Sequence, residues 1–224
     1  MAAMAKVLLL LSPGLFWTLT YVLVIRQGFR DRTYGMPLVA LCANISWEFI
    51  FSVVRPQPGG AQIVYVVWFC FDVVIAYTAL RYGPREFPGL PRSVFYLGFA
   101  ATLGLAYVGT DLFSREFDAG GPALAAFASN LMMSGLFLGM LLGRRDLRGQ
   151  SLWIAGAKFA GTFFASVFSW QFGKYGHSVV MPYLYIGNAV LDLAYVAALL
   201  ALRRASRTPQ LVQHLTGDRQ QVSG

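Results

Sequence analysis

Residues 6–32 read KVLLLLSPGLFWTLTYVLVIRQGFRDR, and how the apolar part, Val7–Ile25, is taken decides the fold. An apolar stretch near a chain's start is either a secretory leader or a membrane span. This one is long enough to cross about 30 Å of hydrocarbon at 1.5 Å per residue. It lacks a small-residue cleavage site and runs straight into Arg26, Arg30 and Arg32. It reads as a span. Comparable runs recur along the chain, giving seven spans at about 7–25, 36–54, 62–80, 93–110, 122–142, 151–170 and 179–202. Short stretches rich in Gly, Pro and Arg separate them, as turns require. The expectation is an all-α, seven-transmembrane-helix bundle forming one domain over 1–205, followed by a cytoplasmic polar tail, 206–224.

Composition agrees. Of 224 residues, 57% are hydrophobic and 12% charged, against about 25% charged in a soluble domain. The net charge of +8 is distributed by topology. Arg26, Arg30, Arg32, Arg81, Arg85, Arg92, Arg144, Arg145, Arg148, Arg203, Arg204, Arg207 and Arg219 fall at one end of the spans. Lys6, Arg55, Arg115 and Lys174 fall at the other. Thirteen against four puts the N-terminus outside and the C-terminus in the cytoplasm of a cell-membrane, multi-pass protein. The basic charge therefore does not call for nucleic acid. Cys42 and Cys70 both lie in apolar runs, so no disulfide framework is expected. His177 in a loop and His214 in the tail are far apart, and nothing clusters at ligand spacing, so neither a metal nor a cofactor is expected.

Four ionisable residues lie within spans: Glu48, Asp72, Lys158 and Asp192. Each costs about 2.5–3.5 kcal/mol or more at mid-bilayer when charged and unpaired, so such residues face the bundle interior and have work there. Counted from the outer ends, Glu48 lies about 10 Å deep, and Asp72 and Asp192 about 15 Å deep. The three acids are expected to share one cavity. Helical spacing puts Asn44 and Phe51 with Glu48, Tyr65 and Trp68 with Asp72, and Tyr185, Asn188 and Tyr195 with Asp192. Asn44 and Asn188 each precede an acid by four residues, within hydrogen-bond reach. With Trp47, these side chains describe an aromatic pocket holding a few carboxyls. Lys158 lies near the cytoplasmic end of span 6 and is expected to snorkel. Trp17, Trp153 and Trp170 are expected in the interfacial belt, Asp111 in solvent, and Asn130, Ser134 and Thr162 in helix packing.

A carboxyl in a dry apolar site is hard to ionise and can serve as a general acid. Aromatic faces stabilise the carbon cation that protonation of an alkene or epoxide creates, and excluding water protects it. Alkenes are poor bases, so a second group must ease the transfer; Asn44 and Asp192 are the candidates. The sequence has no Asp-Asp pair, no GxxxxGK[ST] loop and no HExxH motif, which disfavours diphosphate ionisation, nucleotide chemistry and zinc hydrolysis.

The residues N-I-S-W-E (44–48), W-F-C-F-D (68–72) running into YTALRYGP (77–84), and N-A-V-L-D (188–192) resemble the small seven-helix membrane terpene cyclases. These serve fungal meroterpenoid and indole-diterpene pathways, with actinobacterial relatives acting on drimentine-type prenylated indole diketopiperazines. The resemblance covers nearly the whole chain. It implies a metal-independent cyclase in which Glu48 protonates the end of a prenyl chain, of farnesyl type, and Asp192 is the second essential acid. Asp72, Asn44 and Asn188 would support them, and Trp47, Trp68, Tyr65, Phe51, Tyr185 and Tyr195 would hold the folded cation. The implied partners are a lipophilic prenylated substrate, the bilayer and an upstream prenyltransferase. The compact, Ala- and Arg-rich chain points to the bacterial branch.

A proton-coupled transporter using the acids as a relay is the alternative. Against it, Pro56–Gln57 and Pro209–Gln210 lie outside the spans, and broken helices at matched positions are missing. A retinal photoreceptor would need a lysine in span 7, which has none.

Overall fold

The structure is a computed structural model that describes residues 2–175 and 178–221; His177 lies outside them. Among the described residues there are seven α-helices and no strand: α1 (Ala2–Asp31), α2 (Leu38–Phe49), α3 (Gly60–Tyr82), α4 (Arg92–Asp118), α5 (Ala123–Arg144), α6 (Leu152–Phe172) and α7 (Val180–Gln221). Six are long and apolar enough to cross a membrane, while α2 with its continuation to Val54 is a shorter apolar helix. Helices are what hydrocarbon permits, since each backbone N–H and C=O must find its partner within the segment. Ile63, Leu97, Leu105 and Ile186 point outward, as lipid-facing side chains do.

All the helices except α2 overrun the expected spans because backbone hydrogen bonding does not stop at the edge of the hydrocarbon. The largest overruns are in α4, which reaches Asp118, and α7, whose backbone continues to Gln221 through the region read as a tail. Asp111 sits on the α4 extension and is ion-paired, 2.9 Å from Arg55 and 2.8 Å from Arg115, instead of being merely solvated.

The contacts α1–α6, α6–α7, α7–α5, α5–α2, α2–α3 and α3–α1 close a ring, and α4 packs outside it against α2 and α5. At the arginine-rich end the ring is filled by Tyr21, Leu41, Ile75, Phe137, Ile154 and Tyr195, among others. Polar loops close that end. Arg148 donates twice to Glu86, at 3.1 Å each, and Thr33 donates to the same carboxylate at 2.7 Å. The Arg144 guanidinium stacks 4.0 Å above Tyr34. Gly149, at φ +73°, passes so close to Tyr34 that a Cβ would stand 2.6 Å from its carbonyl oxygen; only glycine fits there. With one end packed shut, the open space lies at the other.

Candidate active site

That space is a cavity of about 660 Å³ walled by α1, α2, α3, α5 and α6, within the range of small-molecule sites. Glu48 lies at its floor and is itself 0% exposed. The helical repeat places Asn44 one turn before Glu48 on α2 and Phe51 one turn after Trp47. Just beyond Glu48 the helix widens into a π-helical turn, Ile50–Val54, closed by Arg55 N–H to Ile50 O at 2.6 Å. Such turns recur where a helix must aim side chains at a site.

Glu48 belongs to a four-residue cluster from three helices. Tyr21 on α1 donates its hydroxyl to Glu48 Oε1. Asn44 Nδ2 stands 3.2 Å from Glu48 Oε1, 2.9 Å from Asp72 Oδ2 and 2.6 Å from the Tyr21 hydroxyl. Asp72 on α3 is 0% exposed. The second oxygens, Glu48 Oε2 and Asp72 Oδ1, receive no hydrogen bond from a donor, and the two carboxyls lie within direct reach of one another. Among the described residues neither carboxyl is in an ion pair.

Aromatic rings run from this cluster along the walls. Trp47 meets Tyr65 edge-on at 4.8 Å, Tyr65 meets Trp68 at 5.9 Å, Trp68 meets Tyr21 at 5.9 Å and Tyr21 meets Trp17 at 6.1 Å. Two indoles are pinned by their N–H groups, Trp47 to Pro122 O at 2.9 Å and Trp68 to Thr18 Oγ1 at 3.0 Å. At the mouth, Tyr175 and Lys174 meet Asp118, the lysine at 3.0 Å. Burial first, then the bond to Asp118, pushes the Tyr175 hydroxyl above the usual phenol range; it remains a donor.

Several sequence expectations are corrected here. Asp192 does not join Glu48 and Asp72: its Oδ1 pairs with Lys158 Nζ at 2.6 Å, both side chains being nearly fully buried. Lys158 therefore does not snorkel; it also donates to Ser134 Oγ at 2.6 Å. Asn188 bonds to the carbonyls of Leu184 (2.8 Å) and Phe127 (3.2 Å), not to Asp192. Phe51 supports Trp47 from behind at 5.2 Å without lining the cavity. Tyr195 is buried in the core against Phe137, 5.4 Å away. Tyr185 lines a separate groove of about 430 Å³ between α6 and α7, with Asp192 at its base, and donates to Ser169 at 2.7 Å. Trp17, expected at the interface, is a cavity wall. Sequence reasoning missed Tyr21, although its spacing of four from Trp17 sets both on one helical stripe.

Set beside known proteins, the chain matches the Pyr4-like transmembrane terpene cyclases over residues 2–205. It is 32% identical to the Pyr4-family terpene cyclase mfmH of Annulohypoxylon moriforme, across 84% of this chain and 82% of that one. It is 31% identical to terpene cyclase pyr4 of Aspergillus fumigatus, across 90% and 88%, and 32% identical to terpene cyclase andB of Emericella variicolor, across 75% and 72%. These relatives are fungal and lend no support to a bacterial source. No solved structure matches.

Proposed function

This chain belongs to the Pyr4-like transmembrane terpene cyclases and is a multi-pass membrane terpene cyclase, and from that premise we propose that Glu48 starts its reaction as the general acid. One observation carries the assignment. Glu48 lines an aromatic cavity, and its Oε1 is engaged by Tyr21 and Asn44 while its Oε2 receives no hydrogen bond from any donor. Two buried carboxyls joined through one amide, with no cation in contact, are balanced by keeping a proton. We place that proton on Oε2. It passes to the distal end of a bound prenyl chain, at an alkene carbon or an epoxide oxygen, and leaves a carbon cation. Neighbouring double bonds then attack in turn, each closing a ring and moving the charge along the chain.

The two donors on Oε1 ease the step. As Oε2 loses its proton, the Tyr21 hydroxyl and the Asn44 amide stabilise the carboxylate that forms, and hydrogen bonds to a charged partner are the strong ones. This resolves the difficulty that alkenes are poor bases. Trp17, Trp47, Trp68, Tyr65 and Tyr21 turn π-faces to the migrating cation. The last cation either loses a proton from carbon or is closed by an internal hydroxyl, which then loses its own proton; in both cases one proton returns to the Glu48 carboxylate and restores the acid. Asp72 tunes Glu48 both directly, carboxyl beside carboxyl, and through Asn44. Asp192 acts indirectly, holding Lys158 and, from α7 behind it, the α5–α6 wall. The substrate is a lipophilic meroterpenoid or prenylated indole, made by an upstream prenyl transfer and reaching the site from a cell membrane. The family match sets the transport reading aside.

Glu48→Gln keeps the size and the acceptor of the side chain but removes the transferable proton. It should accumulate in the membrane at wild-type level and form no cyclised product from a farnesylated substrate, assayed by mass spectrometry with chromatography. Product at the wild-type rate would refute the assignment.

A further inference from the structure

Most buried polar atoms left without a partner lie away from the large cavity. Among the described residues, two belong to side chains that line it: Glu48 Oε2 and Asn130 Oδ1. Asn130, on α5, is 9% exposed. Its Nδ2 donates to Thr162 Oγ1 on α6 at 2.9 Å. Thr162 is 3% exposed and also lines the cavity. A buried unmet carbonyl is costly, so one stranded on a residue of the cavity wall is a ready acceptor for a bound group. The Thr162 hydroxyl, having accepted from Asn130, keeps its own hydrogen free of any described acceptor. The pair thus holds one acceptor and one donor unmet on residues of the cavity wall. Turning the amide over only exchanges the roles: Nδ2 becomes the free donor, and the Thr162 oxygen, donating to Oδ1, keeps a lone pair to accept.

We propose that Asn130 and Thr162 form a recognition subsite for the non-prenyl part of the substrate, taking a group that both gives and accepts a hydrogen bond: a hydroxyl or a secondary amide. This rests on the reading of the cavity as the cyclisation site with Glu48 at the tail end. The subsite fixes how far the prenyl chain reaches. With the head held by α5 and α6 and the tail at Glu48 on α2, the chain has to fold against the indoles between them. Neighbouring Phe127 and Ala126 on α5 and Ala165 on α6 are apolar, so a head group lacking matching polarity leaves the pair unmet. Sites built to hydrogen-bond a substrate group discriminate strongly against analogues without it.

The test separates recognition from chemistry by measuring binding in the full-length Glu48→Gln protein in lipid nanodiscs. Quenching of the cavity tryptophans reports binding. The probes are a farnesylated phenol with a free hydroxyl and its methyl ether, and a farnesylated lactam with a free and an N-methylated amide. One pair or the other should show at least about a tenfold preference for the free form. Adding Asn130→Leu or Thr162→Val should bring that preference close to one while leaving affinity for the methylated probe unchanged. Thr162→Val is nearly isosteric, so it remains informative should Asn130→Leu fold poorly. A preference that survives in folded Thr162→Val, or no preference in either probe pair, would overturn the proposal. Failure of the Glu48 assignment would look different: Glu48→Gln would turn substrate over while the binding preference stood.

Discussion

Lys158 Nζ lies 2.6 Å from Asp192 Oδ1, with the two side chains 1% and 2% exposed, so a lysine of α6 and an aspartate of α7 neutralise one another inside the bundle. The same ammonium donates to Ser134 on α5 and stands 5.8 Å from the Trp17 ring. The pair therefore ties three helices together behind one wall of the cavity.

From this follows a test of how Asp192 matters. Removing one member leaves the other charge buried and unpaired, which costs about 3–5 kcal/mol. Lys158→Met and Asp192→Asn alone should each lower thermal stability and membrane yield sharply. The double variant should regain most of both, and cyclisation with them, because the helices again meet through neutral side chains. A double variant that is stable but inactive would show that Asp192 takes part in the chemistry directly.

Tyr21→Phe isolates the second donor to Glu48 while keeping the ring that packs against Trp68 and Phe71. Loss of a hydrogen bond to a developing carboxylate is worth about 1.5–3 kcal/mol, so kcat should fall about ten- to a hundredfold. KM should stay near the wild-type value, since the bond strengthens only as the proton leaves. Asn44→Leu should fall further, because Asn44 contacts Glu48, Asp72 and Tyr21 together. An unchanged kcat in Tyr21→Phe would remove the tyrosine from the mechanism.

The seven helices were legible because hydrocarbon leaves the backbone no other choice, so length and apolar composition suffice. Asn44 beside Glu48, and Tyr65 beside Trp68, were legible because i, i+4 and i, i+3 neighbours share a face whatever surrounds them. Rotation about the helix axis was not. Span 6 carries Thr162, Ser166 and Ser169 on the same helical stripe as Lys158, which marks a polar face, but nothing in one helix's spacing showed that Asp192 of another would meet the lysine there. The same blindness hid Tyr21, whose hydroxyl gains its meaning only once α1 and α2 flank α3 and Tyr21 reaches Glu48 across the ring. Asn188 illustrates a further limit: its spacing from Asp192 was right, but its amide found carbonyls of Phe127 and Leu184 instead.

Glycine positions provide a matched pair. A Cβ on Gly161 would stand 2.8 Å from Trp17 Cδ1, whereas one on Gly156, also on α6, would meet nothing within 4 Å. Gly161→Ala must push the indole into the cavity, so it should cost about 1–3 kcal/mol and alter the ratio of cyclised products. Gly156→Ala should leave products unchanged and be neutral or stabilising by up to about 1 kcal/mol. Identical product ratios in both variants would mean that Trp17 does not shape the folded chain.

The orientation proposed from the arginines can be tested at the cavity mouth itself. Gln57 lies in the α2–α3 connection at the mouth end, and Arg145 follows α5 at the packed, arginine-rich end. With Cys42 and Cys70 replaced by alanine, Gln57→Cys in intact cells should react with a membrane-impermeant maleimide, and Arg145→Cys only after permeabilisation. The reverse pattern would turn the mouth toward the cytoplasm. The choice matters because Lys174 and Tyr175 sit at that mouth: whichever compartment they face is the one to which the polar rim of the cavity opens.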